Sequence, residues 1–209
     1  MAEKTKIRVM VVDDHPLVRM GVAAMIKHQV DMELVGEAGT VEEAVALYSQ
    51  KRTDVVLLDL RLPDASGVTA IQRIQALDPA ARVVVLTTYE GDEDISRAMR
   101  AGAKGYLIKG MPHTAVLQAL RKVYAGQRFV PPAIANALLR RIPSLVLTDR
   151  EQDVLKLIFQ GCSNPEIAER LNIRETTVKT HVRVVLTKLN VEDRTSAVVE
   201  ALKRGLIHL

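Results

Sequence analysis

Five short runs of branched aliphatic residues set the limits on what this chain can fold into. They cover residues 7–12, 32–35, 55–60, 83–86 and 106–108. Runs this short and this apolar read as strands buried on both faces. Helical patterns lie between them. Leu17, Val18, Val22, Met25 and Ile26 recur at helical spacing behind Pro16, which suits a first helical turn, with Asp14 placed to cap it. Further helices are expected over residues 41–50 behind Thr40, 67–77 behind Ser66, 91–100 and 113–124. Strands and helices that alternate over short connections predict an α/β domain. Its core is a doubly wound, five-stranded parallel sheet with right-handed crossovers.

In such a sheet, chemistry gathers just beyond the carboxyl ends of the strands. Asp13 and Asp14 stand there after the first run, Asp59 in the third, Thr87 after the fourth and Lys109 after the fifth. One aspartate at a strand end usually does no more than start a turn. Convergence from four strands asks for another explanation. Three carboxylates at one mouth repel one another and resist ionising together unless a cation is supplied. A hard divalent ion such as Mg²⁺, which takes one or two carboxylates plus water and phosphate oxygens, removes the conflict. Lys109 adds a mobile positive charge and Thr87 a donor. The set predicts a site for a phosphoryl group.

Past residue 126 the chain changes character. Acids and bases balance up to that point, so the net charge of +4 arises in the remainder. Val130-Pro131-Pro132 breaks regular structure, a short helix is expected over 133–142, and residues 127–146 read as a moderately stiff linker. A helical unit follows. Thr148 and Glu151 fit a capping box, and Gly161 sits where a helix ends. Asn164-Pro165-Glu166 starts a second helix over 165–171, with Asn164 as its cap, and Asn172-Ile173 makes a tight turn. Third and fourth helices are expected over about 175–189 and 193–204. A short helix, a tight turn and a longer helix form a helix-turn-helix, whose second helix enters the major groove of DNA. On that helix Val178, Val182, Val185, Leu186 and Leu189 make an apolar stripe. Thr176, Lys179, Thr180, Arg183 and Thr187 lie opposite. Such residues reach bases and phosphates, although they are also common on any solvated face.

Asp13-Asp14, Asp59, Thr87 and Lys109, with Tyr106 three residues before the lysine, resemble the flavodoxin-like receiver domain of two-component response regulators. The resemblance covers about 125 residues. It implies that Asp59 accepts a phosphoryl group from a sensor histidine kinase. It also implies Mg²⁺ held by Asp14, Asp59 and the backbone carbonyl of Arg61, with Asp13 acting through water. Thr87 and Lys109 would bind phosphoryl oxygens, and the Tyr106 ring would reorient. Two departures are local: Gly110 rather than Pro follows Lys109, and Ser66 stands where Asp or Asn is common.

The strings Leu147-Thr148-Asp149-Arg150-Glu151, Asn164-Pro165-Glu166-Ile167-Ala168 and Thr177-Val178-Lys179-Thr180-His181-Val182 resemble the LuxR-type DNA-binding domain of NarL/FixJ regulators. That resemblance implies that Lys179, Thr180 and Arg183 face the bases of double-stranded DNA. Asn164, Thr177, His181 and Lys188 would lie on phosphates or in packing. Arg174 replaces a frequent Ser or Thr cap, so the recognition helix starts less firmly or Arg174 reaches a phosphate. The implied organisation is a receiver over residues 1–126, a linker over 127–146 and the helix-turn-helix domain over 147–209. Phosphorylation would produce a homodimer on DNA.

Other classes fit less well. A turnover phosphatase needs a second acid/base carboxylate, which Asp13 or Asp14 would have to supply, and it leaves the helical unit unexplained. A DNA-binding protein with a silent receiver does not account for the complete set of site residues. The chain is therefore expected not to be an enzyme. Cys162 is alone, so neither a disulfide nor a cysteine metal site is expected. No apolar span of about 18 residues occurs, so no membrane-crossing helix and a cytoplasmic location are expected.

Overall fold

Every apolar run of the first half forms a strand. They are β1 (Ile7–Val12), β2 (Met32–Ala38), β3 (Val55–Leu58), β4 (Val83–Thr87) and β5 (Gly105–Ile108). The computed structural model describes residues 6–88, 91–132, 134–135 and 147–207, which fall into two units. All strand pairs of the first unit are parallel, in the order β2-β1-β3-β4-β5. Helices α1 (Pro16–Lys27), α2 (Val41–Gln50), α3 (Gly67–Leu77), α4 (Asp92–Arg100) and α5 (His113–Tyr124) connect them or follow the last. Both sheet faces are buried. Val9, Val11, Val55, Leu57, Val84, Leu86 and Leu107 share a core with Val22 and Ile26 of α1 and with Val116 and Leu120 of α5. The alternate residues Met10, Val12, Val56, Leu58, Val83, Val85 and Tyr106 are buried on the other face, as the two-residue period of a strand requires.

Three local expectations need correction. Strand β3 stops at Leu58, two residues short of the run 55–60, so Asp59 stands just beyond its end. Strand β2 continues three residues past 35, through Gly36. A Cβ at Gly36 would sit 2.4 Å from Leu47 Cδ2, so the glycine makes room for a side chain of α2 and does not end the strand. The cap of α1 is His15, not Asp14, and it makes no side-chain cap bond. Two other caps of this unit are as read: Thr40 Oγ1 accepts from the Glu43 N–H at 3.1 Å and Ser66 Oγ from the Val68 N–H at 3.3 Å. The sequence reading missed Asp64, whose carboxylate accepts from the Val41 and Glu42 N–H groups at 2.9 and 3.1 Å. It serves the start of a helix that lies 23 residues earlier.

Beyond α5 the chain returns to the edge of the sheet. The Phe129 N–H donates to Lys104 O, and the Tyr106 N–H donates to Phe129 O, both at 3.0 Å. The pairing of the first unit thus runs three residues past 126. Residues 133 and 136–146, and with them most of the expected linker helix, lie outside the described residues.

The second unit holds α6 (Asp149–Phe159), α7 (Asn164–Leu171), α8 (Glu175–Leu189) and α9 (Arg194–Lys203). The capping box of α6 is complete: the Thr148 N–H donates to Glu151 Oε2 at 2.8 Å, and the Glu151 N–H to Thr148 Oγ1 at 3.4 Å. Helix α7 begins one residue earlier than expected, with Ser163 rather than Asn164 as its cap. Glu166 decides this, because its Oε2 accepts from both the N–H and the Oγ–H of Ser163, at 2.7 and 2.6 Å. The turn between α7 and α8 passes through Asn172 at φ 50°, a left-handed conformation that asparagine tolerates better than most residues. Arg174 occupies the cap of α8 and makes no side-chain cap bond. Val154, Ile158, Ile167, Val178 and Val182 pack the helix-turn-helix together. Leu155, Val185, Leu189, Ala197 and Ala201 join α6, α8 and α9.

Candidate functional site

At the ends of β1 and β3 the chain passes from apolar strand to carboxylate in a single residue. Asp13 and Asp59 are only 2% and 3% exposed. Their main chains are fixed by the sheet: the Asp13 N–H donates to Ala38 O at 3.0 Å and the Asp59 N–H to Val12 O at 2.8 Å. Lys109 leaves β5 on the same side, its N–H bonded to Thr87 O at 2.7 Å. Its ammonium lies 2.7 Å from Asp13 Oδ2 and 2.5 Å from Asp59 Oδ2. The remaining oxygens meet backbone donors. Asp13 Oδ1 accepts from the His15 N–H at 2.9 Å, and Asp59 Oδ1 from the Arg61 N–H at 3.2 Å. Gly67 lets α3 begin tightly against this loop, since a Cβ there would come within 2.3 Å of Asp59 O.

The electrostatics are unbalanced. Burial works against the charge of Lys109. Its hydrogen bonds to Asp13 and Asp59 outweigh burial and hold the ammonium above the ordinary lysine value. That ammonium contacts two of the three carboxylates, Asp13 and Asp59. Asp14 Oδ1 is buried and accepts no hydrogen bond among the described residues. It lies 2.5 Å from His15 Nδ1 without hydrogen-bond alignment. Oxygens of Asp13, Asp14 and Asp59 and a nitrogen of His15 all lie within 4.8 Å of one another. A buried carboxylate oxygen with no donor, among other oxygen ligands, fits a hard cation. Thr87 is fully buried, and its Oγ1 also has no partner among the described residues. Tyr106 is fully buried as well. The sequence reading brought Asp13, Asp14, Asp59 and Lys109 to one place, with Arg61 at its rim. It missed His15, which follows the two aspartates directly.

In the second unit the residues read as facing DNA divide into two groups. Arg174, Thr176, Thr177, Lys179, Thr180, Arg183 and Thr187 are exposed, opposite the buried Val178, Val182, Val185 and Leu189. Lys179 pairs with Glu175 at 2.8 Å one turn back. His181 is half-buried. Lys188 belongs to the packing: its Nζ lies 2.7 Å from Oε2 of the buried Glu151. Burial tends to raise the Glu151 carboxyl, but the bonds from Lys188 and Thr148 prevail and hold it below the usual glutamate value. Asn164 Oδ1 accepts from Arg194 Nη2 at 2.6 Å. Nothing in the local pattern pointed to the Glu151–Lys188 or Asn164–Arg194 pair.

Comparison with known families agrees with both halves. The response regulator receiver domain matches residues 9–121, and the family of bacterial regulatory proteins of the luxR type matches residues 145–201. The chain belongs to the response regulators that join a receiver to a LuxR-type helix-turn-helix domain. It is 37% identical to the uncharacterized transcriptional regulatory protein YxjL of Bacillus subtilis, over 98% of this chain and 99% of that protein. The response regulator protein VraR of Staphylococcus aureus is also 37% identical, over 96% of this chain and 99% of VraR. Among solved structures, the response regulator ChrA of a heme-sensing two-component system is 37% identical with a TM-score of 0.56, covering 97% of this chain and 99% of its own. RcsB of Salmonella enterica serovar Typhimurium, bound to the promoter rprA in the presence of the phosphomimetic BeF3-, is 25% identical with a TM-score of 0.70, covering 95% and 99%. Among the described residues no helix is long and apolar enough to cross a membrane.

Proposed function

We propose that Asp59 accepts a phosphoryl group from the phosphohistidine of a sensor histidine kinase, and that the acyl phosphate drives homodimerisation and binding to double-stranded DNA to control transcription. One observation carries the reading: Asp59 is a buried carboxylate with one oxygen on an ammonium and the other on a backbone N–H. An Asp59 oxygen attacks phosphorus, the P–N bond to the kinase histidine breaks, and the imidazole leaves. Lys109 then exchanges a carboxylate oxygen for a phosphoryl oxygen. The unpaired Thr87 hydroxyl is available to donate to another, and Tyr106 follows Thr87. Asp14, Asp59 and the carbonyl of Arg61 would hold Mg²⁺, with Asp13 acting through water. The ion would neutralise charge on the entering phosphoryl oxygens. Asp13 is engaged by Lys109 and the His15 N–H, which disfavours Asp13 as the second acid/base carboxylate of a turnover phosphatase; the attached helix-turn-helix domain supports a phosphoacceptor. The RcsB complex with promoter DNA supports the DNA reading. For the dimer, α1 supports its own face over that of α4, β5 and α5. Leu17 and Met20 are 81% and 65% exposed, and Gly21 and Ala24 extend the stripe.

Intact-mass measurement after treatment with acetyl phosphate and Mg²⁺ tests the acceptor. One phosphoryl group is expected on the wild type and none on Asp59→Asn. A full mass shift in Asp59→Asn would sink the assignment. Sedimentation should show a dimer only in the phosphorylated wild type.

A further inference from the structure

Arg194 lies on α9, outside the helix-turn-helix, yet it reaches into the start of α7. Its Nη1 donates to Cys162 O at 3.2 Å and its Nη2 to Asn164 Oδ1 at 2.6 Å. A guanidinium only donates hydrogen bonds. The amide of Asn164 is thereby fixed in one sense: the oxygen must face Arg194, and both Nδ2 hydrogens remain. Nδ2 has no acceptor among the described residues, and Asn164 is half-exposed. Asn164 is also the first residue of the leading helix of a helix-turn-helix, the helix that crosses the DNA backbone. Phosphate oxygens only accept. An asparagine turned the other way would set a carbonyl against an anion.

We infer that Arg194 is a positioning residue for DNA binding: it orients Asn164 so that the Nδ2 hydrogens meet a backbone phosphate. The inference rests on the DNA-binding reading of this domain. It separates two roles that a cation here might have. An arginine on a phosphate would release a counterion on binding, whereas an arginine acting through a neutral amide would not. The Arg194–Asn164 pair thus contributes affinity without salt dependence and without sequence preference.

The test uses the full-length phosphorylated protein and two labelled duplexes. One is selected from a random library with the wild type, and the other is an unselected duplex of equal length. Asn164→Ala should bind both about tenfold more weakly, with the ratio between them unchanged. Arg194→Ala should lose a similar factor, and the double variant no more than Asn164→Ala alone. In each the slope of log affinity against log salt should match the wild type. A slope lowered by about one in Arg194→Ala would make Arg194 itself a phosphate contact and overturn the inference. So would a full further loss when Arg194→Ala is added to Asn164→Ala. Asn164→Asp covers the case in which Arg194→Ala does not fold. It keeps an oxygen for Arg194 and removes the Nδ2 donors. It should melt no lower than the wild type yet bind both duplexes at least tenfold more weakly; wild-type affinity would overturn the inference. Failure of the wild type to bind either duplex would remove the DNA reading and this inference together.

Discussion

In the receiver the groups that carry the proposed chemistry are buried together: Asp13, Asp59 and Thr87 are almost inaccessible, and Asp13 and Asp59 share the Lys109 ammonium. In the helix-turn-helix unit the arrangement is reversed. Lys179, Thr180 and Arg183 are exposed, while the buried ion pair, Glu151 with Lys188, holds helices together. Among the described residues the receiver thus holds unsatisfied buried atoms at its cluster, Asp14 Oδ1 and Thr87 Oγ1. Removing Asp14, one of whose oxygens is buried without a hydrogen bond among the described residues, should have the opposite sign to removing the paired Glu151. A buried polar atom without a hydrogen bond is destabilising, whereas a paired, hydrogen-bonded carboxylate such as Glu151 is stabilising.

The largest effect expected is on phosphorylation. Asp14→Ala should abolish labelling by a small phosphodonor, because it removes a proposed cation ligand. In chelator the same variant should melt no lower than the wild type, because among the described residues the lost Asp14 Oδ1 is buried without a hydrogen bond and its one charged contact is the His15 imidazole. Added Mg²⁺ should raise the melting temperature of the wild type alone. Normal labelling of Asp14→Ala would break the comparison at its root.

Glu151→Ala comes next. It loses the cap on Thr148 and the ion pair with Lys188, and should cost the second unit about 3 kcal/mol in denaturant titration at neutral pH. The folded carboxyl lies below its ordinary value. Its contribution is therefore complete above the unfolded value of about 4.3 and is lost as pH falls through the lower folded one. The gap between variant and wild type should be constant from about pH 6 to 8 and close in acid. A gap that widens in acid would contradict the ion pair.

Arg183→Ala sharpens the contrast from the exposed side. It should weaken binding to a selected operator by about 1–3 kcal/mol and relax preference at one position, with stability changed by less than about 0.5 kcal/mol. Equal losses on operator and random duplexes would assign Arg183 to phosphate. The smallest effect is at the uncapped start of α8. Arg174→Ser should raise stability by about 0.5–1 kcal/mol, and any accompanying loss of DNA affinity would show that Arg174 also serves as a phosphate contact.

Much of this was legible in the sequence, for a physical reason. A strand buried on both faces must be apolar along its length, so its first carboxylate marks its end, and Asp13 and Asp59 could be placed to the residue. The exposed face of α8 was legible because its valines recur at helical spacing. What escaped was non-local. Asp64 serves α2 from 23 positions away, and Arg194 holds Asn164 from 30. Neither leaves a periodic trace. The cap of α7 slipped by one because Ser163 and Asn164 are both good caps, and only the reach of Glu166 decides between them.

The return of the chain to β5 at Phe129 governs where the receiver can be cut out for study. A fragment ending at Gly126 removes the two hydrogen bonds of Phe129 and leaves Lys104 O and the Tyr106 N–H open on the last strand of the sheet. An open strand edge invites pairing with another chain. Such a fragment would carry an open edge whether or not Asp59 is modified, and any pairing through it would imitate the signal that a dimerisation assay is meant to detect. A fragment that retains Phe129 keeps that edge closed.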